Sequence, residues 1–181
     1  MNNEQYLQLK HVIDALAADL YHPLGEIRLS GFTAEKDLSP EEAALLPRVP
    51  YPEGTRWGSA GDYAWMFSQF VLPASAQGER IVMDLDPGGE ATLFVDGLPF
   101  GTRRGDRLSH PHHYIVDQTV RIRAQAGDTV RLAMEVYGGT ALPDDSGLPV
   151  FPENGVSCTC TGTAVTGRST FGLWNEEAYQ L

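Results

Sequence analysis

The chain has 181 residues, enough for one domain, or one domain with appendages, around a full hydrophobic core. Apolar residues make up 42% and aromatics 9%, ordinary values for a globular protein. Thirteen basic residues against twenty-four acidic ones give a net charge of −11, which repels phosphate backbones and anionic lipid and argues against nucleic acid and membrane partners. No apolar run approaches bilayer length, and no basic stretch leads into a hydrophobic one near the N-terminus. A cytoplasmic location is therefore expected. Two cysteines cannot build a disulfide framework, in keeping with a reducing compartment.

Residues 4–21 read as one long helix, because Leu9, Val12, Ile13, Leu16 and Leu20 form a single stripe at a 3.6-residue period. His22-Pro23 should end it, since a residue before proline is pushed out of the helical region. A short strand is expected at 27–32. Ser39-Pro40-Glu41-Glu42 is a helix start, with Ser39 as N-cap and acids at the positive end of the dipole. Pro47, Pro50 and Pro52 keep that helix brief.

From residue 63 the period changes to two. Residues 63–72 place Trp65 and Phe67 on one face and Met66, Phe70 and Leu72 on the other. In "RIVMDLDPGGEATLFVDGLPFG", residues 80–101, two alternating runs and two tight turns predict a meander. Strand character continues at 113–123, and 129–137 is the cleanest half-buried strand, with Val130, Leu132, Met134 and Val136 inward and Arg131 and Glu135 outward. Residues 138–155 read as a Gly- and Pro-rich loop and 156–165 as a strand of small residues. Asn175-Glu176-Glu177 starts a second helix, and Trp174, Ala178 and Leu181 share its face. So short a helix is not stable alone, and the chain is expected to continue in a longer protein.

Candidate chemistry is sparse. His110, His112 and His113, with Cys158 and Cys160, could form a two-His, two-Cys zinc site, but they lack a ligand spacing, so loop histidines and two thiols on one sheet face are the simpler reading. Asp84 and Asp86 share a strand face and could act as acid and base or bind calcium; a solvated strand face ending in an Asp-Pro turn is the favoured reading. Asp96-Gly97 suits a hairpin turn. Trp57, Trp65 and Trp174 could stack on sugar rings or fill the core. No phosphate-binding glycine loop or nucleophile motif is present.

Taken in order, these stretches resemble the N-terminal domain of bacterial α-mannosidases of glycoside hydrolase family 38. The likeness lies in the leading helix, "RWGS…YAWMFSQFVLP" at 56–73, "RIVMDLDPGGEATLFVDGLPFG", "AGDTVRLAMEVYGG" at 126–139 and the closing "FGLWNEEAYQL". The family's second turn, Val-Asn-Gly or Val-Asp-Gly, is matched by Val95-Asp96-Gly97. "SHPHHYIV" departs from the family's commoner single histidine. The resemblance implies a non-catalytic sandwich whose parent is a retaining, zinc-dependent enzyme, with nucleophile and zinc ligands in a catalytic domain beyond residue 181. It implies no catalytic residue and no cofactor in this chain.

The expected fold is mainly β: an antiparallel β-sandwich, jelly-roll or galactose-binding-like, with an N-terminal α-helix and a truncated C-terminal helix. The expected organisation is a helical segment and Pro-rich connector at 1–55, the sandwich at 56–170 and the start of a linker helix at 171–181. Trp65, Asp96, His112 and His113 are the candidates for facing a saccharide. Leu173, Trp174, Ala178 and Leu181 are the candidates for docking a catalytic domain or a second copy. Two rival readings are a stand-alone carbohydrate-binding module and a small cupin-type metal enzyme.

Overall fold

The computed structural model describes residues 3–34, 37–58, 61–103, 118–138 and 164–180. Two antiparallel sheets carry the fold. The larger has the order β3 (Val49–Pro50), β2 (Ser30–Ala34), β5 (Tyr63–Val71), β10 (Thr129–Tyr137), β7 (Glu90–Val95) and β8 (Leu98–Arg103). The smaller has the order β1 (Tyr21–Glu26), β12 (Thr170–Trp174), β6 (Ile81–Asp84) and β9 (Thr119–Arg121). A two-stranded ribbon joins β4 (Arg56–Gly58) to β11 (Ala164–Val165).

The inner faces of the two sheets form one core. Met66, Phe70 and Leu72 of β5 and its edge, Val130, Leu132, Met134 and Val136 of β10, and Leu93 of β7 meet Ile81, Met83 and Phe171 of the smaller sheet. Phe70 and Phe171 stack across the gap with centroids 4.4 Å apart. Each such side chain stabilises the fold by roughly 1.5–3 kcal/mol on burial. This is the expected β-sandwich with an N-terminal helix.

The central strand β5 is buried on both faces. Its outward residues Trp65 and Phe67 pack with Phe32, Phe94 and Ala43 beneath α2 (Pro40–Ala44). That helix begins as its residues dictate: Ser39 Oγ accepts from Glu42 N, and Glu42 reaches back to Ser39 N. β6 is buried twice over as well. Ile81 and Met83 enter the main core, whereas Val82 faces Leu20, Trp174 and Ala178.

Two sequence expectations change. The run 80–101 is not a three-strand meander. β7 and β8 form the hairpin, turning at Asp96 (φ 53°) and Gly97 (φ 82°), but β6 lies in the opposite sheet beside β12 and β9. Leu85 to Gly89 is therefore a crossover between sheets, since the alternation that marks two strands does not say that they pair. The N-terminal helix α1 (Asn3–Asp19) also stops short of His22. Tyr21–Glu26 becomes β1, an edge strand on β12, where Pro23 costs no central ladder bond. The strand expected at 27–32 sits later, as β2, with Ile27 and Leu29 buried ahead of it.

The crossover is held from several sides. Arg103 of β8, only 7% exposed, donates Nε–H to Leu85 O (3.1 Å) and Nη1–H to Gly89 O (2.8 Å), and approaches Asp86 Oδ1 at 3.4 Å. Trp57 Nε1–H donates to Pro87 O (2.8 Å), and Ser169 Oγ accepts from Asp86 N (2.8 Å). Gly89 must be glycine, because a Cβ there would strike Tyr137 O.

Arg103→Met, close in volume but without donors, leaves two buried carbonyls short of partners. It should lower unfolding free energy by about 3 kcal/mol in urea denaturation. A loss below about 0.5 kcal/mol, the range of an indifferent surface change, would show that the crossover holds without the guanidinium.

Candidate functional site

Of the saccharide candidates, Trp65 is 1% exposed and is wedged between Phe67 and Phe94, with ring centroids 6.0 and 5.9 Å away. Its ring is packing beneath α2 and offers no open face to a sugar. Asp96 is a turn clamp. Its Oδ1 accepts from Arg131 N (2.9 Å), its Oδ2 from Arg121 Nη2 (2.7 Å), and its own N–H donates to Arg131 O (2.8 Å). Burial pushes the Asp96 carboxyl up, but the Arg131 N–H and the Arg121 guanidinium outweigh it and hold the group below its usual range. His112 and His113, like His110, Cys158 and Cys160, lie outside the described residues. Among the described residues, no group of three His, Cys, Asp or Glu side chains could hold a metal ion. Asp84 ends β6, whereas Asp86 lies past the strand in the crossover and approaches the buried Arg103 rather than standing on a solvated strand face.

Two of the four docking candidates, Trp174 and Ala178, belong to a small second core. Trp174 (5% exposed) ends β12 and does not lie in a helix. With Ala178 of α3 (Glu176–Tyr179) it packs against Leu20 and Val82. Leu173, on the other face of β12, leans on the main core. Leu181 lies outside the described residues. Asn175 caps α3 by accepting from Ala178 N (3.1 Å) and ties it to α1 through Asp19 (2.9 Å).

Two of the open surfaces among the described residues stand out. The first is the outer face of the larger sheet, which carries two clefts. One, of about 480 Å³, runs between α2 and the sheet and is lined by Arg28, Arg48, Arg131, Gln69, Phe67 and Phe94. The other, of about 460 Å³, lies further along the same face around Tyr63, Tyr137, Glu90, Thr92 and Glu135. Its two tyrosine rings are 5.0 Å apart. Burial, with Asp37 nearby, pushes the Glu135 carboxyl up. The second surface is α1, whose Leu9, Val12 and Ile13 are 50–56% exposed although they belong to one apolar stripe. Only Leu20, past the end of the helix, reaches a core.

Sequence reading missed the clefts because their residues are scattered. Arg28, Arg48 and Arg131 come from three separate elements, with no spacing to link them. The usable signal was the outward position of Arg131 and Glu135 on β10. No pattern joined them to Arg28 or Tyr63.

No protein-family model and no curated protein matches the chain. Among solved structures it is similar to β-glucuronidase from Ruminococcus gnavus. The apo enzyme matches at 14% identity and a TM-score of 0.43, over 85% of this chain and 29% of that one. A second structure of the enzyme gives 12% and 0.44, and its complex with D-glucuronic acid 12% and 0.42, with the same coverage. The chain thus spans 29% of the length of those enzymes. A likeness this loose carries no argument about activity.

Trp174→Ala should lower unfolding free energy by about 3–5 kcal/mol, since it empties the second core. An unchanged melting temperature would make the α3 corner a frayed end. Asp96 makes a pH-dependent contribution. Its folded pKa lies below the ordinary 3.8, so the stabilisation is present above about pH 4 and is lost as pH falls through the folded value. Asp96→Asn, which keeps the turn, should be less stable than wild type at neutral pH. The gap should close in acid titrations of stability as pH falls below the ordinary carboxylate range and through the folded value. A gap that ignores pH would mean that the turn does not use the charge.

Proposed function

We propose that this chain is a non-catalytic N-terminal β-sandwich domain of a glycosidase, and specifically of a family 38 α-mannosidase that hydrolyses terminal α-mannosides by a zinc-dependent retaining mechanism. Its work is to dock against the parent's catalytic domain, which would hold the zinc. The motif order at 56–73, 80–101 and 126–139 supports the family reading. The observation that carries the docking role is α1. Leu9, Val12 and Ile13 stand half-exposed, while the three buried clusters of the sandwich are formed without them. A stripe of this kind is an interaction face rather than part of this domain's own core. The zinc of the parent reaction finds no fitting donor set among the described residues, so no chemical step is assigned to them.

A second reading, a stand-alone carbohydrate-binding module, draws on the Tyr63–Tyr137 cleft. Half-open aromatic rings beside Thr92, Glu90 and Glu135 suit the apolar faces and hydroxyls of a sugar.

The accessory reading predicts that the reading frame continues past Leu181 into a domain bearing the family's nucleophile and zinc ligands. A stop codon there removes it. The 181-residue chain should not hydrolyse aryl α-mannosides, and zinc-stimulated turnover that copurifies with it would overturn the assignment. In the isolated chain Val12→Ser with Ile13→Ser should leave the melting temperature almost unchanged. In the continuous protein the same pair should expose the domain junction to limited proteolysis. Equal destabilisation of both would place the stripe in the sandwich's own fold.

A further inference from the structure

We propose that the cleft between α2 and the outer face of the larger sheet binds a small organic anion: a sugar-sized ring bearing one carboxylate or phosphate. This goes beyond the docking role and does not depend on it. The chain has only thirteen basic residues and a net charge of −11, yet three of those thirteen line this one cleft. They arrive from different elements: Arg28 from the link between β1 and β2, Arg48 from just past α2, and Arg131 from β10. Glu41 is the single acidic residue of the lining.

Four other arginines are neutralised, whereas Arg56 and Arg123 make no ion pair among the described residues. Arg80 pairs with Glu176, Arg103 with Asp86, Arg121 with Asp96, and Arg168 with Glu26. Arg28 makes no ion pair among the described residues, although acidic residues outnumber basic ones almost two to one; Arg131 makes none either, but its charge helps to hold the Asp96 carboxyl below its usual range. Like charges gathered around a cleft repel one another, and an oxyanion entering it removes that repulsion.

The cleft also has the shape of a site. Arg48 is held flat, its guanidinium carbon 3.6 Å from the Phe67 centroid and one Nη2–H given to Ala44 O (2.9 Å). A guanidinium oriented in this way loses little freedom when its remaining N–H groups meet a carboxylate or phosphate, which match its fork. Phe94 and Ala133 supply an apolar wall, and Ser30 and Gln69 supply hydroxyl and amide groups for ring hydroxyls. A volume of about 480 Å³ admits a sugar ring and falls within the usual range for small-ligand sites. An extended polyanion does not fit the reading, because the rest of this acidic surface repels it.

Titration calorimetry on the whole chain tests the proposal with glucose 6-phosphate, galacturonate, neutral glucose and galactose, and inorganic phosphate. The two anionic sugars should bind and the neutral hexoses should not, and whichever anionic sugar binds tighter identifies the oxyanion. Arg28→Gln and Arg131→Gln, both at exposed side chains, should each weaken that binding at least tenfold without moving the melting temperature. Added salt should weaken it further. Binding of phosphate alone would reduce the cleft to an ion site and overturn the proposal. It would equally fall if no probe bound, if both arginine variants bound like wild type, or if neutral sugars bound as well as anionic ones. Neutral binding lost on Tyr137→Ala would point to the neighbouring tyrosine cleft instead.

Discussion

The sandwich depends on how five residues pass from one sheet to the other. Leu85 to Gly89 must leave β6 and enter β7, and between the sheets their carbonyls have neither a ladder partner nor free access to water. An unpaired buried carbonyl costs about 1–3 kcal/mol, so the crossing is possible only where donors are waiting. Arg103 reaches back from β8 to supply two of them, and Trp57 supplies a third. A hydrophobic side chain at 103 would fill the same space and satisfy none of these groups. The glycines complete the arrangement by letting the backbone lie directly against Val165 and Tyr137.

That one crossing fixes much else. Because β6 is in the smaller sheet, Val82 looks away from the main core and becomes the floor of the second one, under Trp174 and Ala178. Because β7 is in the larger sheet, Phe94 stands on its outer face beside Trp65 and Phe67, where α2 can cover part of the aromatic row. Asp96 then locks the β7–β8 turn to β10 by pairing with both the N–H and the C=O of Arg131. The Arg131 side chain is left to face the cleft. The proposed anion cleft and the structural clamp thus meet in a single residue, whose backbone serves the turn and whose side chain lines the cleft.

What the sequence disclosed, and what it hid, follows the range of each interaction. The capping box at Ser39, the Asp96-Gly97 turn and the strand at 129–137 depend on residues within a few positions of each other, and each was legible. The two-faced character of β5 could be read from Trp65 and Phe67 opposing Met66 and Phe70. Pairing was not legible. Residues 80–101 look the same whether β6 and β7 share a sheet or face each other across the core, and the choice is made by Arg103 and Trp57, respectively fourteen residues after Gly89 and thirty before Pro87. Tyr21–Glu26 was hidden for a related reason: its strand exists because β12, almost 150 residues later, offers an edge. Burial of Trp65 was undecided by its neighbours, since an outward aromatic on a sheet is a platform or a core residue according to whether a helix lies over it.

The same logic separates the domain's stability from its surfaces. The main core, the aromatic row under α2 and the α3 corner account for most of the large apolar side chains that the described strands present, and none of the three draws on Leu9, Val12 or Ile13. A helix of seventeen residues with no buried position gains little from its own hydrogen bonds in water. The Lys10–Asp14 pair, exposed and screened, adds little. Its apolar stripe is therefore not explained by the sandwich that it precedes. Under the accessory-domain proposal a receiving surface would account for it, and among the described residues α1 meets the sandwich at its C-terminal end, where Asp19 bonds both His22 of β1 and Asn175 at the start of α3.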